Sequence, residues 1–259
     1  MKINFRNLLV TFLLFQAVHL SAQHQIQIDA QLHSETHTFQ VSQKIIYKNQ
    51  SQDTLQNIIL NDWNNAYSSK KTPLAGRFSD EFVKTFHTAK ATDRGFTTIE
   101  KIESVSEHLT WARVENHIDL ISIKLEKPLL PQEEVEIFIE YLIQLPNARF
   151  TKYGYDAKGN YAIKNTFLWP ALREYGEFVL NSNLNLDDAA NALADLEFTI
   201  QTDKKTSVTT DLDKENVPNS IVQKYSGKNR YDFSLYIENN SEFLSFKNKD
   251  IEVLNNIKS

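Results

Sequence analysis

Histidine is the side chain that most often transfers protons or binds metals near neutral pH. The chain has 7 histidines, and none of them is followed by a glutamate. The zinc-binding helix motif H-E-x-x-H, in which a glutamate base stands beside two metal-binding histidines, is therefore absent. His33 and His37 have the i, i+4 spacing of such a pair, but they fall in a predicted strand–turn–strand, where that spacing does not converge on a metal. We expect both to be surface residues of a hairpin.

Other sequence signatures of catalysis are also missing. The chain has 0 cysteines, which excludes a thiolate nucleophile, a thiolate metal site and a disulfide framework. No G-x-S-x-G, P-loop or G-x-G-x-x-G motif occurs. Asp187 and Asp188 could contribute to a calcium site, but further oxygen ligands at the required spacing are missing, so we expect a solvated loop there.

An aromatic and charged cluster at residues 165–176 (NTFLWPALREYG) is open to two interpretations. In the first, Trp169, Arg173 and Glu174 form a ligand-facing edge of a substrate cleft. In the second, the strand end packs on the core and the two charged side chains are solvated. Aromatic residues are more often buried than binding, which favours the second interpretation, and the same argument favours packing for Trp63 and Tyr67.

The elements that must position these residues are predicted mainly by alternation of apolar and polar residues. A period of two indicates strands with one buried and one wet face, typical of antiparallel sheets. The apolar phases of five such stretches are Ile26, Ile28, Ala30 and Leu32; Phe39, Val41, Ile45 and Tyr47; Val135, Ile137, Ile139, Tyr141 and Ile143; Leu196, Phe198 and Ile200; and Tyr231, Phe233, Leu235 and Ile237. The predicted fold is all-β, an antiparallel sandwich with one or two short helices.

Turns and helices are predicted from shorter signals. Turns are expected at residues 49–53, 127–132 (KPLLPQ), 156–160 (DAKGN) and 226–229 (SGKN). A helix is predicted over residues 79–89, with Ser79 as its N-cap and Phe82, Val83 and Phe86 at helical spacing. Residues 186–196 (LDDAANALADL) are expected to form a short helix or an inserted loop.

The first residues have the pattern of an export signal. Lys2 and Arg6 precede a short apolar run at residues 8–20, and Ser21 and Ala22 supply small residues for cleavage. The run is too short to span a membrane comfortably, which takes about 20 apolar residues. We therefore predict a signal peptide at residues 1–22 and one β-domain at residues 23–259, exported to the periplasm or the extracellular space, with no membrane contact after cleavage. The net charge of −5 and the absence of a basic block argue against nucleic acid as a partner.

The order of several motifs resembles the zinc-dependent aminopeptidases of the gluzincin class. The best resemblance is in residues 37–67, with a "Y-x-N-x-S-x-D-x-L" turn and an "L-x-x-N-A-Y" stretch. The matching residues are Tyr47, Asn49, Ser51, Asp53, Leu55, Leu60, Asn64 or Asn65, Ala66 and Tyr67. Further matches are residues 72–75, a strand pair at residues 128–141 in which Gln132 replaces the usual glycine, the Trp169–Pro170 edge, and residues 196–211.

The resemblance implies a saddle-like N-terminal β-domain that normally precedes a thermolysin-like zinc domain. That zinc domain carries H-E-x-x-H and a G-x-M-E-N motif that grips the substrate amine. Met1 is the only methionine here and no His-Glu pair exists, so the chain has neither motif. The family also uses a glutamine near the edge strand, and residues 165–176 contain none.

Two functions follow as expectations. The first is a truncated or split gene product that comprises the non-catalytic β-domain of a secreted metallo-aminopeptidase-like protein. It would have no cofactor of its own and no peptidase activity alone, and it would supply a cleft wall for peptides and an exposed apolar surface that docks the zinc domain. The second is a free-standing secreted β-sandwich that binds protein or glycan.

Overall fold

The structure, a computed structural model, describes residues 24–105, 108–184, 189–203, 206–215, 221–238, 244–247, 249 and 252–255. Its first strands are β1 (His24–His33), β2 (Thr38–Lys48), β3 (Leu55–Asn61), β4 (Phe96–Ser104), β5 (Thr110–Val114), β6 (His117–Leu129), β7 (Glu134–Gln144), β8 (Gly154–Tyr155), β9 (Tyr161–Ile163) and β10 (Trp169–Pro170). The later strands are β11 (Arg173–Glu174), β12 (Glu177–Phe178), β13 (Ala194–Thr202), β14 (Ser207–Thr210), β15 (Asp213–Lys214), β16 (Val222–Arg230), β17 (Leu235–Glu238), β18 (Leu244–Lys247) and β19 (Glu252–Asn255). The helices are α1 (Pro73–Asp80) and α2 (Lys84–Thr88), and 3₁₀ turns cover Trp63–Tyr67 and Ala91–Asp93.

The strands form an all-β sandwich, as the alternation predicts. One layer is a seven-stranded sheet in the order β15-β16-β13-β1-β2-β7-β4. The facing layer consists of two four-stranded sheets, β10-β3-β6-β5 and β14-β17-β9-β8, and their apolar faces share one core cluster with the large sheet. In β1 every second residue is buried, so its predicted apolar phase faces that core and its polar phase faces solvent.

One strand pairing differs from the predicted antiparallel pattern. β1 pairs with β2 in antiparallel orientation, but its other neighbour, β13, runs parallel to it over His24–Leu32. A parallel partner needs a long crossover, and more than 100 residues of chain separate the two strands. Alternation within each strand does not reveal this arrangement, because either orientation buries the same face.

The predicted helix over residues 79–89 is wrong in its start and its continuity. The helix α1 begins at Pro73 and is capped by Thr72, whose hydroxyl oxygen accepts the backbone N–H of Ala75 at 3.2 Å. The helical conformation is interrupted between α1 and α2 at Phe82, which has a φ of 58° and is 85% exposed. The Thr-Pro pair is therefore the true start signal, and Ser79 lies near the end of the helix.

The turn predicted at residues 226–229 is also wrong, because β16 continues through these residues to Arg230. The pairing of β16 with β13 shifts register here, and Asn229 adopts a φ of 53°. The glycine and asparagine thus form an irregularity inside a strand rather than a hairpin. Tyr231, predicted to be buried, is 57% exposed.

The remaining turn predictions agree with the chain path. Residues 49–53 separate β2 from β3, and residues 156–160 connect β8 to β9. The KPLLPQ stretch separates β6 from β7, although β6 extends to Leu129. Of residues 186–196, Ala194 onwards belong to β13, and residues 185–188 lie outside the described residues. Within the described residues, no helix is long and apolar enough to cross a membrane.

Candidate functional site

The turn between β2 and β3 is organised by the buried side chain of Asn49. Its Oδ1 accepts hydrogen bonds from the backbone N–H and the hydroxyl of Ser51, at 3.1 and 2.7 Å. Its Nδ2 donates to the carbonyl oxygens of Asp53 and Leu129, at 2.8 and 3.0 Å. The "N-x-S-x-D" part of the resemblance therefore corresponds to a turn held by one amide, and this turn leaves the Asp53 carboxylate at the surface.

The edge strand β10 lies beside β3 and is anchored by Trp169. Trp169 is 1% exposed, and its Nε1 donates to the carbonyl oxygen of Ala192 at 2.7 Å. Trp169 and Pro170 pair with Asn61 and Leu60 of β3. The tryptophan is thus a packing residue, as the second interpretation predicts, and the β11–β12 hairpin starts four residues later.

Arg173 connects that hairpin to the Asn49 turn. Its Nη2 donates to Asp53 Oδ2 at 2.8 Å and to the carbonyl oxygen of Gly176, and its guanidinium lies 5.8 Å from the ring centre of Phe178. The side chain is only 16% exposed, so the expectation of a solvated Arg173 is wrong. Glu174 is exposed, as expected.

These two segments enclose one surface pocket of about 250 Å³, which we call the edge pocket. Its lining residues are His24, Tyr47, Lys48, Asn49, Gln50, Ser51, Ala171, Arg173, Gly176 and Ala192. The Tyr47–Asp53 turn and the Trp169–Glu174 edge, more than 100 residues apart in sequence, therefore meet at one place. Membership of Trp169, Arg173 and Glu174 in a substrate-cleft edge stays a prediction.

Two titratable side chains of the edge pocket, His24 and Tyr47, are neutral at pH 7. Burial lowers the pKa of His24 to about 4 and raises the pKa of Tyr47 to about 12, although nearby Arg173 acts against the second shift. The two rings stack with centroids 4.3 Å apart, and His24 Nδ1 accepts the backbone N–H of Lys48 at 3.3 Å. This arrangement suits binding of a polar group by hydrogen bonds, and it does not suit proton transfer near neutral pH.

A larger groove of about 680 Å³ lies on the outer face of the seven-stranded sheet. Acidic, basic and amide side chains line it together: Gln25, Gln27, Lys44, Asp195, Glu197, Asp213, Lys228 and Arg230. The strand irregularity at Gly227 shapes this groove, because a Cβ there would lie 2.7 Å from Leu212 Cδ2 and 2.9 Å from Arg230 Nε. The groove has no aromatic lining residue.

The "L-x-x-N-A-Y" stretch ends in the Trp63–Tyr67 turn, and all five residues of this turn are buried. Asn65 Nδ2 donates to the carbonyl oxygen of Ile118 at 2.7 Å, and Tyr67 shares a hydrogen bond of 2.9 Å with Thr151. The packing expected for Trp63 and Tyr67 is confirmed, since both are buried. These residues hold the fold and lie away from the edge pocket.

The sequence assigns no role to two aspartates that the structure pairs with distant arginines. Asp62 is fully buried, accepts a hydrogen bond from Arg113 at 2.6 Å, and has a pKa raised by burial to about 6. Asp53 was noticed only as part of a motif, and its partner Arg173 lies 120 residues away. The only sequence feature that points to Asp62 is its position directly before Trp63 in a stretch of aromatic residues.

The described residues do not fit a zinc site. Among them, no group of three or more histidine, aspartate or glutamate side chains could hold a metal ion. His33 is exposed, whereas His37 stacks on Tyr155 at 3.7 Å and shares a hydrogen bond of 3.0 Å with the Tyr161 hydroxyl. Asp187 and Asp188 lie outside the described residues. We therefore assign no step of metal chemistry to this part of the chain.

No protein-family model matches the sequence, and no curated protein matches it. Among solved structures, it is similar to the M1 zinc metallopeptidase from Deinococcus radiodurans, with 9% identity, a TM-score of 0.46, and coverage of 90% of this chain and 46% of that one. An aminopeptidase N family protein from Idiomarina loihiensis has 12% identity and a TM-score of 0.47, with coverage of 88% and 31%. Yeast LTA4 hydrolase in complex with bestatin has 8% identity and a TM-score of 0.43, with coverage of 87% and 30%. The chain spans less than half the length of these structures.

Proposed function

We propose that this β-domain is the non-catalytic N-terminal part of an exported zinc metallo-aminopeptidase-like protein, in which it forms one wall of the substrate cleft. The observation that carries the proposal is the edge pocket. Tyr47, Asn49 and Ser51, from the stretch that carries the best resemblance, line this pocket. Ala171 and Arg173, which follow the Trp169–Pro170 edge more than 100 residues later, line it too, and Arg173 pairs with Asp53. Each motif of the resemblance is unspecific by itself, but two of the matched stretches lie at or next to the same pocket.

The proposal also gives the domain a surface for docking a zinc domain. Apolar side chains are exposed beside α1, where Arg77 Nη1 donates to the carbonyl oxygen of Leu184 at 2.6 Å. This bond brings Leu184, which is exposed, to the end of the helix that precedes the exposed Phe82. Large contiguous apolar patches mark interaction surfaces, and the docking proposal predicts that Phe82 and Leu184 belong to one.

The first test is to read the coding sequence around codon 259. We expect a reading frame that encodes H-E-x-x-H and G-x-M-E-N, continuous with this one or adjacent to it. A stop codon with no such frame nearby would overturn the proposal.

A second test is peptidase activity of the purified chain on aminoacyl substrates. We expect none, and activity that a chelator abolishes would show that the domain is catalytic.

The second candidate, a free-standing β-sandwich that binds protein or glycan, is favoured by the 680 Å³ polar groove on the outer sheet face. It predicts a monodisperse monomer that does not bind an apolar dye. The docking proposal predicts dye binding and self-association that end when a zinc domain is added. Gel filtration with dye fluorescence therefore separates the two functions.

A further inference from the structure

A small cavity lies between the Trp63–Tyr67 turn, the loop after β7 and the segment that contains Asn183. Its volume is about 10 Å³, close to the space that one water molecule needs. Its lining residues are Trp63, Asn64, Tyr67, Leu145, Pro146, Tyr153, Gly154, Lys164, Asn165, Thr166 and Asn183. The cavity is therefore too small for an organic ligand.

A donor and an acceptor that belong to its lining residues are buried without a partner among the described residues. They are the indole Nε1 of Trp63, a donor, and the Oδ1 of Asn183, an acceptor. The two residues are 3% and 1% exposed. Buried polar groups are rarely left unpaired in folded proteins, so this donor and this acceptor each need a partner, and one water molecule can serve both.

The orientation of Asn183 is determined by its other hydrogen bonds. Its backbone N–H donates to Asp119 Oδ2 at 2.5 Å, and its Nδ2 donates to the carbonyl oxygen of Trp63 at 3.3 Å. The amide oxygen is consequently the atom left over. The same bonds hold the 179–184 segment, with its exposed Leu180 and Leu184, against the β-domain.

We infer that the cavity binds one water molecule, which accepts the Trp63 indole N–H and donates to Asn183 Oδ1. A metal cation does not fit, because the unpartnered group of Trp63 is an N–H donor, which cannot coordinate a cation. The water adds a link between the Trp63–Tyr67 turn and the 179–184 segment. This inference is independent of the proposed aminopeptidase relationship.

The test is a water–protein NOE measurement on ¹⁵N-labelled protein. We expect the Trp63 indole proton to show a cross-peak to a long-lived water, and the Trp169 indole proton to show none, because its N–H is bonded to the Ala192 carbonyl. The signal should persist in Thr166→Val, which removes a cavity hydroxyl that could relay it. Absence of the Trp63 cross-peak would overturn the inference.

A crystal structure and a substitution give independent readouts. We expect an ordered water within hydrogen-bond distance of both atoms, and loss of that water in Trp63→Phe but not in Trp111→Phe. Density for Nε1 bonded directly to a protein oxygen would contradict the inference. So would a strong anomalous peak after soaking in rubidium or thallium salts, since it would identify the occupant as a cation.

Discussion

Arg173 donates a hydrogen bond to the carboxylate of Asp53 at 2.8 Å, across 120 residues of sequence. The bond connects the β11–β12 hairpin to the turn between β2 and β3, and Arg173 lines the edge pocket. The Asp53 side chain is 59% exposed, so solvent screens the pair and limits its contribution to folding. The pair is therefore better suited to positioning the hairpin than to stabilising the fold.

The first prediction concerns that positioning role. Arg173→Ala removes the bonds to Asp53 and Gly176 together with the contact on Phe178. We expect the free energy of unfolding to fall by about 1 kcal/mol or less, because the ion pair is largely screened. Amide hydrogen exchange of the hairpin should nevertheless rise clearly. Lys101→Ala, which removes an ion pair of 2.7 Å with Glu103 on the same face of β4, is the matched control and should leave hairpin exchange unchanged.

The second prediction concerns a buried hydroxyl that holds the strand before the edge. Tyr141 donates to Gln43 Oε1 at 2.5 Å and accepts the backbone N–H of Leu168 at 3.3 Å. Tyr141→Phe leaves both partners without this bond in the core. We expect a loss of about 1–3 kcal/mol in unfolding free energy, measured by urea denaturation. The exposed Tyr236→Phe should change it by less than about 0.5 kcal/mol, and equal effects of the two variants would refute the assignment.

The local features of the fold could be predicted from sequence, and the long-range ones could not. Alternation in β1 correctly predicted which residues are buried, because it depends only on side-chain direction along one strand. The parallel partner β13 is set by the path of more than 100 intervening residues, and nothing within β1 encodes it. The start of helix α1 lies at Thr72–Pro73, ahead of the apolar residues Phe82, Val83 and Phe86, so their spacing alone predicts a start that is too late.

The candidate site shows the same division. The turn residues around Asn49 stand out in the sequence as a motif, but nothing in the sequence reveals that Arg173 pairs with Asp53. Arg173 was expected in solvent because a charged side chain at a strand end usually is. Its burial depends on Phe178 and on the hairpin turn at Gly176, both of which become its neighbours only when the hairpin closes.

The third prediction uses the position where the sequence departs from the family pattern. Gln132 has a φ of 67°, in the left-handed region that favours glycine, and its backbone N–H donates to the Asn49 carbonyl oxygen at 2.6 Å. Gln132→Gly relieves about 1–2 kcal/mol of strain against an added entropy cost of about 0.5–1 kcal/mol. We therefore expect a gain of about 0.5–1 kcal/mol in unfolding free energy. Gly159→Ala, at a φ of 75°, makes the reverse change and should destabilise the protein.

The last prediction concerns pH and His24. Burial lowers its pKa from 6.5 to about 4, so between these values the unfolded chain binds a proton that the folded chain excludes. Stability from this group is complete above pH 6.5 and is lost as the pH falls towards 4, by up to about 3 kcal/mol. Asp62 and Asp232, whose pKa values burial raises to about 6 and about 7, act in the opposite direction, since their folded forms retain protons as the pH rises.

The measurement is therefore the difference between wild type and His24→Phe, which keeps an aromatic ring on Tyr47 but cannot titrate. We expect urea denaturation to show that wild type loses more stability than the variant between pH 7 and pH 4. The control variant His33→Phe should behave like wild type. Parallel pH profiles of the unfolding free energy for wild type and His24→Phe would show that His24 is not buried in its neutral form.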